Sequence, residues 1–84
     1  MERYLEKKIK KYIIATLGHP TLYLKKIPGK KEYIFSEDIE YATKAMNENL
    51  ANQIKNYYYT DTSSNIELVV VPVEITYEFV DESK

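Results

Sequence analysis

The chain has no cysteine and no tryptophan, one histidine, two glycines and three prolines among its 84 residues. Without cysteine it can form neither a disulfide framework nor a thiolate zinc site, a composition suited to a reducing compartment. The single histidine, His19, lies in Gly18-His19-Pro20 with no acidic neighbour in sequence, and reads as a turn residue rather than a general base. The two glycines belong to separate turns, so no phosphate-cradling loop can be built from them. The apolar run Tyr12 to Leu17 is too short and too mixed for a signal segment or a membrane span. The one dense acidic group, Glu37, Asp38 and Glu40, is accounted for by the N-terminus of a helix and lacks the alternating pattern of a calcium loop. The expectation is a cytoplasmic protein that works as translated, is no enzyme, needs no cofactor or metal, and has no membrane partner.

Charge and tyrosine are what the chain does have. Net charge is −1, but residues 1–31 carry nine Lys/Arg and two acids, net +7, and residues 32–84 carry three Lys and eleven acids, net −8. Such a split reads either as ordinary solvated surface at both ends or as a charged docking face. Lys25, Lys26, Lys30 and Lys31 flank one turn and should crowd a hairpin tip, to which Lys7, Lys8, Lys10 and Lys11 could add. Nine tyrosines are present, and on a helix Tyr57, Tyr58 and Tyr59 would fan over about 200° at 100° per residue. One or two therefore belong to the core, and at least one tip reaches the surface, where tyrosine suits an interface.

The pattern predicts a single α+β domain over 1–84. Leu5 and Ile9, continued by Tyr12 and Ile13, suggest a short N-terminal helix over 2–10. Residues 11–17, 21–27 and 31–35 read as three strands of an antiparallel meander, with Pro28-Gly29 placed for a type II turn. Ser36 is placed to cap a helix whose apolar stripe is Ile39, Ala42, Met46, Leu50, Ile54 and Tyr57 or Tyr58. The poor helix formers Asn47 to Asn49 allow two helical pieces instead of one. After a polar loop over 60–65 comes a long strand, 66–80, with Val69, Val71, Val73, Ile75, Tyr77 and Phe79 on one face. Fully extended it would span roughly 50 Å, against about 30 Å for a compact domain of this size, so it bends at Pro72 or protrudes. Any open edge it keeps invites strand addition, including by a second copy.

The stretches YIFSEDIEYATKAM (33–46) and VVPVEITYE (70–78) resemble a loose class of small accessory proteins from phages and prophages of Gram-positive bacteria. The resemblance extends over most of residues 12–78. It implies an inhibitor of a host or defence enzyme, a CRISPR nuclease among them, in the cytoplasm of a bacterial host. No residue role carries over, since the class shares no functional motif found here. The leading expectation is a non-enzymatic protein-binding module of this anti-CRISPR-like kind. Its candidate contact residues are Lys25, Lys26, Lys30, Lys31, Glu37, Asp38, Glu40, Tyr57, Tyr58 and Tyr59, and homodimerisation through the 66–80 strand is compatible with it. The alternative is a small nucleic-acid binder using the lysine hairpin. The acidic half would repel phosphate, and base reading usually rests on Arg rather than Lys.

Overall fold

A computed structural model describes residues 3–81, with side chains from Glu6 to Glu78. Its elements run β1 (Arg3–Thr16), β2 (Tyr23–Lys26), β3 (Tyr33–Ser36), a single 3-10 turn at Ile39–Tyr41, α1 (Glu48–Thr62) and β4 (Leu68–Asp81). The strands form one antiparallel sheet in the order β3-β2-β1-β4. The three-strand meander expected from the sequence is there, with the late strand added on its far side next to β1. The fold is α+β.

No N-terminal helix forms: β1 begins at Arg3 and runs through Thr16 without a break. A spacing of four fits one face of a helix, but four is also even, so Leu5, Ile9 and Ile13 fall equally on one face of a strand. The partner settles the choice. β4 pairs with β1 in constant register along the whole length, from Arg3 opposite Asp81 to Thr16 opposite Leu68. Fourteen paired residues form a ribbon about 45 Å long at ~3.3 Å per residue. The long strand does not break at Pro72: it sits in register opposite Tyr12, and the molecule measures 56 × 28 × 19 Å. Of the two outcomes expected for that strand, it protrudes.

Pro72 is tolerated for a geometric reason. Tyr12 exchanges two backbone hydrogen bonds with Ala45, at 2.9 and 2.8 Å, so its N–H and C=O point away from β4. The residue opposite, Pro72, therefore turns its donor-free nitrogen to the outer edge, and the ladder loses nothing.

The core is built on the face of the sheet that carries the even-numbered residues of β1. Ile14, Leu24 and Leu68 are buried there with Tyr58 of α1, and Tyr33, Phe35, Ile54, Tyr59 and Val70 pack around them. Tyr58 meets the rings of Tyr33, Phe35 and Tyr59 edge-on at 5.2, 5.5 and 5.7 Å. The Tyr59 hydroxyl accepts the Leu68 N–H at 2.9 Å, satisfying the first outward amide of β4. The opposite face is covered over Ile13 and Ala15 by the segment 37–45, whose Ala42 and Ala45 are buried. That segment also holds β1 and β2 together where they diverge. Those two strands pair at Ala15–Tyr23 alone, and beyond it the Thr43 N–H donates to the Leu24 carbonyl while Lys26 N–H donates to Thr43 Oγ1.

The helix expected from Ser36 is interrupted. Ser36 Oγ accepts only the Asp38 N–H, Asp38 caps the 3-10 turn by accepting the Glu40 N–H, and the chain then runs extended until Asn47 caps α1. The break falls at Asn47, where the sequence allowed one; of the predicted stripe Ile54 and Tyr58 face the sheet, joined by Ala51, while Met46 is 72 % exposed. Asn47 Oδ1 accepts the Leu50 N–H at 2.8 Å. Asn47→Ala should lower stability by about 1 kcal/mol, read as a shift in the urea midpoint, because the first turn of α1 loses its side-chain acceptor. The helix also outlasts the predicted loop boundary at 60: it ends at Thr62, with Ser63 left-handed at φ 53°. The Pro28-Gly29 turn is as expected, with Gly29 at φ 73° and Lys30 N–H donating to the Ile27 carbonyl at 3.3 Å.

Candidate functional site

The residues singled out in the sequence fall on opposite faces of the sheet. Lys25 lies with its ammonium 5.7 Å from the ring centre of Tyr41 in the 3-10 turn, which brings the β2–β3 hairpin beside the acidic residues Glu37, Asp38 and Glu40. Lys26 points to the other face of β2 and donates to the Lys30 carbonyl at 3.4 Å; Lys30 and Lys31 are exposed at the turn. Lys25 is thus the hairpin lysine that adjoins the acidic turn at Tyr41, while Lys26 lies on the opposite face. The tyrosines lie on α1 across the sheet. Tyr58 is core at 4 % exposure, Tyr59 is half-buried, and Tyr57 is 52 % exposed.

Among the described residues, one titratable group on the core side, Tyr33, has a displaced equilibrium. Burial, together with the Asp61 carboxylate that accepts its hydroxyl at 2.7 Å, pushes Tyr33 up from 10 to about 12. The neutral phenol is what folding favours. This contribution is present below pH 10, where tyrosine is protonated in both states, and is lost as pH climbs from 10 to about 12. The urea midpoint should fall across that window, and fall less in Tyr33→Phe, which keeps the ring and removes the proton.

Of the ribbon beyond Tyr12, the sequence marked the 66–80 strand as a place for strand addition or dimerisation, but not the β1 half that pairs with it. From Tyr12 to Arg3, β1 has β4 on one side and no neighbouring strand on the other among the described residues. Roughly 30 Å of two-stranded ribbon thus extends past the body. One face carries Ile9, Val71, Val73, Ile75 and Tyr77 with Lys7 and Lys11; the other carries Glu6, Lys8, Lys10, Glu74, Thr76 and Glu78. Tyr77 is 46 % exposed, and Lys7, Lys8 and Lys10 are exposed. Charge is divided by strand. β1 has five cations against one acid, net +4, and β4 has three acids and no cation. Lys10 stands opposite Glu74, and the Lys8 ammonium lies 3.4 Å from the Glu6 carboxylate. A groove of about 550 Å³ lies where the ribbon's apolar face meets the 3-10 turn, lined by Ile13, Ile39, Glu40, Lys44, Val73 and Ile75 among others.

The arrangement offers backbone and charge but little chemistry. Among the described residues no three His, Cys, Asp or Glu side chains converge as metal ligands, and no helix is long and apolar enough to cross a membrane. Compared with known proteins, the chain matches no family model, no curated protein and no solved structure.

Proposed function

We propose that this protein is a non-enzymatic binding module that docks on another protein through the projecting β1–β4 ribbon. The observation that carries the reading is the ribbon's length beyond its core, which leaves Ile9, Val73 and Ile75 partly uncovered and Tyr77 exposed, an apolar strip open to a partner. An inhibitor of a defence enzyme, the activity implied by the phage-protein resemblance of 33–46 and 70–78, would act in this way, by occupying a surface of its target in the host cytoplasm.

The alternatives draw less support. Of the hairpin lysines on which a nucleic-acid reading would rest, Lys25 is engaged with Tyr41 beside the acidic turn and Lys26 with the Lys30 carbonyl on the other face, so they do not form one basic surface. Pairing with a second copy along the outer edge of β4 would set Glu74 and Glu78 against their own kind and meet no donor at Pro72. The test compares two charge reversals, Lys7, Lys8, Lys10 and Lys11 to Glu on the ribbon and Lys25, Lys26, Lys30 and Lys31 to Glu on the hairpin, in capture from nuclease-treated bacterial lysate. A stoichiometric protein retained by the wild type and the hairpin variant but lost from the ribbon variant supports the reading. Capture indifferent to the ribbon reversal, or recovery of nucleic acid alone before nuclease treatment, overturns it.

A further inference from the structure

We infer that the open edge of β1, over residues 4–11, accepts an acidic, extended peptide segment as an added antiparallel strand. The inference rests on the ribbon being the docking element and names which of its edges is used and by what chemistry.

Register decides which backbone groups are available. Tyr12 and Thr16 direct their N–H groups away from β4, to Ala45 and Leu22 respectively. The same alternation turns the N–H and C=O of residues 4, 6, 8 and 10 to that side, where no strand lies among the described residues. The edge is already used once within the chain: Ala45 pairs antiparallel with Tyr12 and then departs toward α1. An incoming segment would continue that line for about seven residues, roughly 23 Å, and stop at Ala45.

Charge selects the segment. Four lysines occupy five consecutive positions, with Lys8 and Lys10 on one face and Lys7 and Lys11 on the other around Ile9. A charged edge rejects neutral strands and like-charged ones, a second copy of β1 at net +4 included. It admits a strand with acids facing the lysines and an apolar residue facing Ile9. β4 sets an acid opposite one of these four lysines, Glu74 across from Lys10, and faces Lys7, Lys8 and Lys11 with Tyr77, Thr76 and Val73. The outer edge of β4 is the weaker template, since Pro72 removes one of its outward donors.

The probe is the acetylated peptide Glu-Glu-Val-Glu-Glu-Thr-Val, written to lie opposite Lys11 to Leu5, titrated into the intact chain with backbone amide shifts as readout. Its control carries N-methyl groups on the second, fourth and sixth residues, which keeps every charge and deletes the hydrogen bonds to residues 10, 8 and 6. Expected are shifts at the amides of Glu6, Lys8 and Lys10 and at least tenfold weaker binding of the methylated peptide. Lys8→Pro, which removes an outward donor and no β1–β4 bond, should weaken binding as much, while Thr76→Pro, its counterpart on the other edge, should leave it unchanged. Equal binding of both peptides overturns strand addition in favour of charge alone. An oligothymidylate of equal charge that binds more tightly than the peptide overturns it in favour of nucleic acid. If Lys8→Pro still captures the lysate protein that the ribbon reversal loses, the edge assignment fails and the docking role stands; if neither change affects capture, both fail.

Discussion

Tyr58→Ala is expected to remove about 4 kcal/mol of stability, a third or more of what a domain of this length has. The ring is 4 % exposed and sits at the one point where α1, β2, β3 and β4 converge, with Leu24, Leu68 and Ile14 beneath it. Three aromatic neighbours present edge contacts to it at 5.2–5.7 Å. Truncating a buried aromatic residue costs about 3–5 kcal/mol in lost burial and residual cavity, and each edge-to-face pair adds roughly 0.5–1.5 kcal/mol. At about 0.05–0.15 kcal/mol per residue, a chain of this length has roughly 4–13 kcal/mol to lose. A core with so few fully buried large side chains has nothing with which to refill the space. Urea denaturation followed by far-UV circular dichroism reads the effect, with two comparisons. Tyr58→Phe, which keeps the ring, should stay within about 1 kcal/mol of wild type. Tyr57→Ala, one residue earlier and 52 % exposed, should stay within about 0.5 kcal/mol. Equal losses at Tyr57 and Tyr58 would mean that α1 does not pack on the sheet in this phase.

That phase was only partly legible in the sequence: Ile54 and Tyr58 of the expected stripe do face the sheet, but Met46 and Leu50 do not, and the reason is local. The apolar spacing Ile39, Ala42, Met46, Leu50 runs on without a gap, yet the chain between Ala42 and Asn47 is extended because it bridges β1 and β2, through Ala45 to Tyr12 and Thr43 to Leu24. Those bonds span more than eighteen residues and leave no trace in a periodicity. The three tyrosines were correctly expected to divide between core and surface; which of them is buried depended on where the helix began. The meander was legible because its turns are local, with Pro28-Gly29 setting one of them. The projecting ribbon was half legible. The length of 66–80 and its one-sided apolar pattern pointed to a protruding strand, but its partner lies some sixty residues earlier, in a stretch whose spacing of four also fits a helix. Its four lysines were counted toward the hairpin's charge, because nothing in sequence separates them from Lys25 and Lys26. The wedge at Thr43–Ala45 does so in the structure.

The same ladder should show two very different resistances to opening. Hydrogen bonding is uniform from Arg3–Asp81 to Thr16–Leu68, but only the inner end is packed: Ile13, Ile14, Ala15 and Leu68 are buried, whereas the outer residues lie on a strand pair without a covering layer. An isolated two-stranded ribbon is marginal in water. Exchange of the ladder amides of Ile13, Ala15 and Val71 therefore requires opening of the whole domain, while those of Lys7, Ile9 and Tyr77 exchange by fraying from the free end. With ~1.4 kcal/mol per tenfold in rate and a difference of several kcal/mol between the two kinds of opening, protection at Ile13 should exceed that at Lys7 by about 100-fold or more. A second pattern should be superimposed on the gradient. The amides of Glu6, Lys8 and Lys10 face the open edge and should exchange almost freely, whereas those of Lys7 and Ile9 between them are slowed by β4. Uniform protection along β1 that fades on dilution would instead mean that copies of the chain cover each other's ribbons. Uniform protection independent of concentration would mean that the outer strand pair is stable on its own, leaving an added strand little to stabilise. The expected gradient puts the free backbone donors of β1 on the least stable part of the ladder. A bound segment would slow their exchange by supplying their missing partners, and would slow the neighbouring ladder amides by holding the ribbon closed.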